Sequence, residues 1–126
     1  MRVSEGELPE SAEAVLDVVD SVPRGRVTTY GRVAALLAEA GLGGSARTVG
    51  AVMAAHGAAV AWWRVCPVSG APPAHPVEAV RRWAEEGTPL RPRRPGAGRA
   101  GDPADVRVDL IAALAELRAP VWLGAR

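Results

Sequence analysis

The chain of 126 residues contains no phenylalanine, no lysine, one tyrosine and one cysteine. Each shortage excludes something. A single cysteine, Cys66, rules out an internal disulfide and a multi-cysteine metal site. With Tyr30 alone beside four tryptophans, the core has to be built from Ala, Val, Leu and Trp. No apolar run approaches the roughly 20 residues of a membrane span. The N-terminal stretch is acidic rather than basic and then apolar, so it does not read as a secretory signal. A soluble, cytoplasmic, monomeric protein with no metal, cofactor or membrane partner is expected. The length allows one compact domain and not two ordinary ones. All fifteen basic residues are Arg, in a chain rich in Ala, Gly and Pro. This is a coding bias, and the choice of Arg over Lys carries no functional meaning by itself.

What is present is a segregated charge. Net charge is only +1, but residues 1–23 carry one Arg against six acids, whereas residues 24–64 carry five Arg against Glu39 alone. Residues 65–99 add six Arg against three acids. A basic middle can steer a phosphate backbone even in a nearly neutral chain. It is also what an ordinary solvated basic face looks like.

Ala12, Val15, Val19 and Val22 recur at helical spacing, with Glu10 and Glu13 where acids suit the helix dipole. They predict a first helix over 10–21, stopped by Pro23-Arg24-Gly25. A short extended piece, Arg26–Thr28, follows. Thr28 or Thr29 can cap a second helix from Tyr30 to Ala40, with Val33, Leu36 and Leu37 inward and Gly41 as its stop. After Gly43-Gly44, Ser45 can cap a third helix from Ala46 to about His56. Two short helices across a tight glycine turn make a helix-turn-helix pattern, which many small domains share without touching DNA. Ala59–Val65 reads as an extended apolar run, and Val65–Gly70 as a hairpin-like wing. A helix over Glu78–Glu86 should turn Val77, Val80 and Ala84 inward, and end at Gly87. Residues 91–103 read as a mobile Arg/Pro/Gly-rich linker, and Val106, Leu110, Ala113, Leu114 and Leu117 as a last helix. The expected class is mostly α with a small β wing, a winged-helix-like helix-turn-helix domain over 1–90, with linker and final helix over 91–126.

Three stretches carry a resemblance: VPRGRVTTYGRVA at Val22–Ala34, ARTVGAVM at Ala46–Met53, and AWWRV at Ala61–Val65. In this order and at nearly these intervals, they resemble the DNA-binding domain of the O6-alkylguanine-DNA alkyltransferase family, over roughly residues 8–90. The third stretch lies where that family has its Pro-Cys-His-Arg-Val reaction motif. Ala61 takes the proline position, Trp62 that of the alkyl-accepting cysteine, and Trp63 that of the activating histidine. Glu86 takes the position of the glutamate that completes the relay. Transfer needs a thiolate beside a base, and an indole is neither. The departure is similar to the alkyltransferase-like proteins, in which Trp replaces the cysteine.

The resemblance implies a non-enzymatic protein that binds O6-alkylguanine in double-stranded DNA and marks it for nucleotide excision repair proteins. It implies minor-groove docking of the third helix, with Arg47 filling the gap left by an extruded nucleotide and Tyr30 crowding the adjacent phosphate. Thr29, Gly31, Ser45, Ala46, Thr48, Gly50 and Ala51 complete the implied DNA-binding set. Small residues such as Ala46, Gly50 and Ala51 give a helix the low profile a groove demands, or simply let it pack closely. The implied alkylguanine pocket comprises Tyr30, Trp62, Trp63, Arg64, Val65, Val68, Ser69 and Gly70. Trp62 would offer the base a flat apolar wall. Trp63 reads either as a second wall or as core beneath the strand, and Arg64 as structural. His56 and Gly57 stand where the family has Asn-Pro.

Two other readings remain. A helix-turn-helix regulator would read undamaged DNA, although the third helix has little beyond Arg47 and Thr48 to contact base edges. A residual transferase would use Cys66, which on a strand would lie on the side of Trp62 but about 13 Å away. A buried inert thiol is the plainer reading of Cys66.

Overall fold

The computed structural model describes residues 9–92, 101–117, 119–120 and 122. Helix α1 (Glu10–Asp20) buries Ala12, Ala14, Val15, Val18 and Val19 on one stripe. After the Pro23-Arg24-Gly25 turn, strand β1 (Thr28–Thr29) leads directly into α2 (Tyr30–Glu39). Thr29 is the cap: its side chain accepts the Arg32 N–H at 3.2 Å. Helix α3 (Ala46–His56) begins at Ser45, whose hydroxyl accepts the Thr48 N–H, while Thr48 Oγ1 accepts the Ser45 N–H, each at 3.3 Å. That reciprocal pair satisfies two donors that a helix start leaves orphaned. Helix α3 packs on α2 and α1, and the first core gathers Val15, Val18, Val19, Val33, Leu37, Val49 and Val65.

Beyond α3 the expectations fail in an instructive way. Residues 59–65 are not one extended run: two 3-10 turns, Gly57–Ala59 and Trp62–Arg64, precede strand β2 (Val65–Cys66). Strand β2 then pairs in parallel with β1, Thr28 opposite Val65 and Thr29 opposite Cys66, instead of folding into a hairpin wing. The reason lies at Gly70. Its backbone has φ +78°, and an added Cβ would stand 2.7 Å from the carbonyl oxygen of Val108. Val108 donates its N–H to Gly70 O at 2.9 Å, so a remote segment fills the place of a returning strand.

Helix α4 (Pro76–Glu86) ends at left-handed Gly87, and Val80 packs partly buried against the core, both as expected, but the rest of the inward face is different. Ala79 and Trp83 are the buried residues, while Val77 is 71% exposed and Ala84 is exposed. The large indole of Trp83 sets the helix rotation: it is fully buried, and its Nε1–H donates to Trp63 O at 2.7 Å.

Of the helix expected from Val106 to Leu117, one turn forms, α5 (Leu110–Ala113), because the chain leaves helical geometry at Leu114 to bridge Val27. The Val27 N–H donates to Ala113 O and the Ala115 N–H to Val27 O, at 2.9 and 2.8 Å. Leu90 bridges Val108. Val27, Cys66, Trp83, Val108 and Ala113 form a second core, so residues 101–115 are packed onto the domain rather than trailing from it. Of the expected 91–103 linker, residues 93–100 lie outside the described residues. Among the described residues, no helix is long and apolar enough to cross a membrane.

Candidate nucleic-acid interface and base cavity

Val49 is the sole fully buried residue of α3. Ala46, Arg47, Thr48, Ala51, Ala54 and Ala55 are exposed, so the helix presents a low outer face with one long cationic side chain. Gly31 and Gly50 have nothing within 4 Å of an added Cβ, which means that internal packing does not demand glycine at either position. Thr29, Ser45 and Thr48 have their side chains engaged in caps, and Thr29 is only 8% exposed. These three order the helix starts of the helix-turn-helix.

Between that face and the start of α2 lies a cavity of about 350 Å³. Tyr30 forms one side, and Gly50, Met53 and Ala54 of α3 form another. Gly57 and Ala58 of the first 3-10 turn contribute the end wall, where a Cβ on Gly57 would press to 3.1 Å from Met53 Cε. Trp62 and the stretch Pro73-Ala74-His75 close it. Trp62 is half-buried and meets His75 edge-on, with ring centroids 5.7 Å apart and planes at 79°. Burial, with a smaller contribution from the nearby Cys66, pushes the Tyr30 phenol up from its ordinary value, so it stays protonated and able to donate.

Behind Trp62 stands Trp63, also edge-on, at 5.7 Å and 84°. Its Nε1–H donates to Glu86 Oε1 at 3.0 Å. Arg64 grips the same carboxylate with Nη2 at 2.6 Å and Nε at 3.2 Å, and donates from Nη1 to Val22 O at 2.9 Å. The Gly25 N–H supplies a fourth donor to Glu86, at 3.2 Å. Burial pushes the Glu86 carboxyl up. The hydrogen bonds from Arg64, the Gly25 N–H and Trp63 outweigh it and hold the group below the usual carboxylate range. Arg82 covers the face of Trp63 at 4.7 Å. An indole N–H only donates. Position 63 therefore has no atom that could take a proton from a nucleophile.

The pocket residues expected from sequence divide. Tyr30 and Trp62 line the cavity; Trp63 and Arg64 support it from behind through Glu86. Val65 is fully buried in the core, Val68 (82% exposed) and Ser69 are on the surface, and Gly70 packs against Val108. None of these last four lines the cavity. Pro73, Ala74 and His75 take the place expected for Val68–Gly70. Sequence reading missed them because the turn at Gly70 carries the chain back several residues later than a hairpin would. The spacing between Trp62 and Cys66 on one strand does not hold either, since Trp62 lies in a 3-10 turn. Cys66 is fully buried, its thiol reaches Thr28 O at 3.6 Å, and burial pushes it up to about 12. A thiol so placed is neither ionised nor accessible near neutral pH.

The family described as "6-O-methylguanine DNA methyltransferase, DNA binding domain" matches residues 10–85, which include all three resembling stretches. The chain belongs to that family. In this methyltransferase-family domain, α2, α3, the cavity and β2 lie inside the matched span, whereas the docked segment 101–115 lies beyond it. The fold is similar to that of Schizosaccharomyces pombe Atl1 in complex with damaged DNA containing O6-carboxymethylguanine. That match has a TM-score of 0.66 at 23% identity and covers 87% of this chain and 98% of the other. It is equally similar to S. pombe ATL in complex with DNA, at TM-score 0.65, 24% identity and the same coverage. No curated protein sequence gives a significant match.

Proposed function

We propose that this member of the methyltransferase family is an alkyltransferase-like damage sensor. It binds duplex DNA through the minor groove, rotates an O6-alkylguanine nucleotide into the cavity beside Trp62, and leaves the alkyl group in place. The observation that carries this reading is the cavity itself: an indole faces it from the position where the family has a reactive cysteine. An O6 substituent is hidden inside a duplex, so inspection requires extrusion of the nucleotide at a cost of a few kcal/mol. Stacking on an aromatic side chain returns about 1–3 kcal/mol per base, which offsets part of that cost. Arg47, exposed at the start of α3, is positioned to occupy the vacated stack with a planar guanidinium. Tyr30, at the first position of α2, lies between the cavity and the helix start where a phosphate would sit.

The same atoms support a reading without turnover. Trp62 has no nucleophile, Trp63 no base, and Cys66 is sealed and protonated. A bound but unrepaired lesion is useful only if other proteins act on it, and nucleotide excision repair is the partner this reading assigns. Titration of matched duplexes with and without one O6-methylguanine, followed by digestion and quantification of the methylated base, tests it. Preference for the modified duplex with full recovery of the methyl group is expected. Equal affinity for both duplexes would favour a regulator of undamaged DNA, and loss of the methyl group would reinstate a transferase.

A further inference from the structure

Ala74 is the sole non-glycine among the described residues with a left-handed backbone, at φ +48°. An L-residue adopts that conformation at a free-energy cost, and such positions persist where surrounding structure holds them. Ala74 sits in the cavity wall immediately before His75, whose carbonyl accepts the Ala79 N–H at 2.9 Å in the first turn of α4. The kink and the helix together aim the imidazole at Trp62. Most of the remaining wall is Gly, Ala, Met and Pro, so polar side-chain atoms come from Tyr30, Trp62 and His75 alone. His75 is exposed at the rim, and its ring packs edge-on against Trp62. The neighbouring carboxylates are occupied: Glu86 by Arg64 and Trp63, Glu78 by Arg81 and Arg82. A negatively charged ligand group beside Trp62 would therefore meet a donor and no free carboxylate.

Building on the lesion-recognition reading above, we propose that His75 determines which adducts the cavity prefers. It hydrogen-bonds an acceptor or anionic group carried on the O6 substituent, so that carboxymethyl-type adducts are held more tightly than a plain methyl.

The test compares wild type, His75→Phe and His75→Gln on three duplexes: unmodified, with one O6-methylguanine, and with one O6-carboxymethylguanine. Phe keeps an aromatic edge against Trp62 and removes the hydrogen bond; Gln keeps a donor. The readout is the ratio of carboxymethyl to methyl affinity, which cancels any loss common to both. It should fall roughly ten- to a hundredfold in His75→Phe, the worth of one hydrogen bond to a charged group, and be largely retained in His75→Gln. An unchanged ratio in His75→Phe overturns the role of His75 and leaves lesion recognition standing. If the wild type prefers neither modified duplex, lesion recognition itself fails and this assignment goes with it.

Discussion

Gly50 separates stability from DNA binding, because the two should move in opposite directions when it is replaced. It lies mid-way along α3, where a helix-interior glycine is about 0.8–1.0 kcal/mol less favourable than alanine. An added Cβ meets nothing within 4 Å beyond the backbone of its own helix. Gly50→Ala should therefore stabilise the free protein by about 1 kcal/mol, and raise Tm by roughly 3–5 °C for a domain of this size. Valine at the same site should still gain a few tenths of a kcal/mol, since its helix propensity exceeds that of glycine. If α3 lies in the minor groove, the same carbons press on the sugar-phosphate wall. Overpacking of a tight contact costs about 1–3 kcal/mol, or roughly five- to 150-fold in Kd. Thermal melting by circular dichroism, paired with anisotropy titration of modified and unmodified duplexes, reads both effects. Gly50 also borders the cavity, so the unmodified duplex is the informative arm: crowding of the groove weakens both duplexes, filling of the cavity only the modified one. A raised Tm with unchanged Kd for both duplexes would refute the placement of α3 against DNA.

Trp62→Ala should abolish the preference for O6-methylguanine, a loss of about 1–3 kcal/mol, while binding to the unmodified duplex persists; equal loss on both duplexes would make Trp62 structural. Glu86→Ala leaves the guanidinium of Arg64 (14% exposed) without its partner, and should cost about 3–5 kcal/mol in urea unfolding. The Glu86 carboxyl titrates lower in the folded than in the unfolded chain. Its contribution to stability is thus complete above the unfolded value and drains as the pH falls through the folded one. Acid unfolding curves should show that loss beginning below about pH 4.5 in the wild type and missing in Glu86→Ala. Cys66 should resist a thiol-reactive probe at pH 8 in the native protein and react at once in denaturant; rapid native labelling would contradict its burial.

Much of the first half of the molecule was legible because its signals are local. Thr29 and Ser45 cap α2 and α3 by bonding N–H groups three residues on, a relation that sequence spacing displays directly. The valines of α1 and the Val33–Leu36–Leu37 stripe of α2 recur at helical spacing and do face the core. After Gly57 the deciding contacts are distant ones. The rotation of α4 is set by Trp83 reaching Trp63, and the apparent wing is replaced by pairing between residues 28–29 and 65–66. The final helix shortens because Ala113 and Ala115 bond to Val27, some ninety residues earlier. No periodicity within a window can register partners so far apart.

The sequence by itself determined the helix-turn-helix, its caps, and the adjacent Trp62 and Trp63, neither of which carries a nucleophile or a base. Those follow from residue identity and short spacing, which the linear chain carries in full. Tertiary structure alone decided that Trp62 looks into a cavity while Trp63 turns to Glu86, and that Pro73-Ala74-His75 rather than Val68–Gly70 completes the wall. Two adjacent indoles are chemically identical in sequence. Their roles diverge because a 3-10 turn rotates one toward open space and the other toward a buried carboxylate held by Arg64.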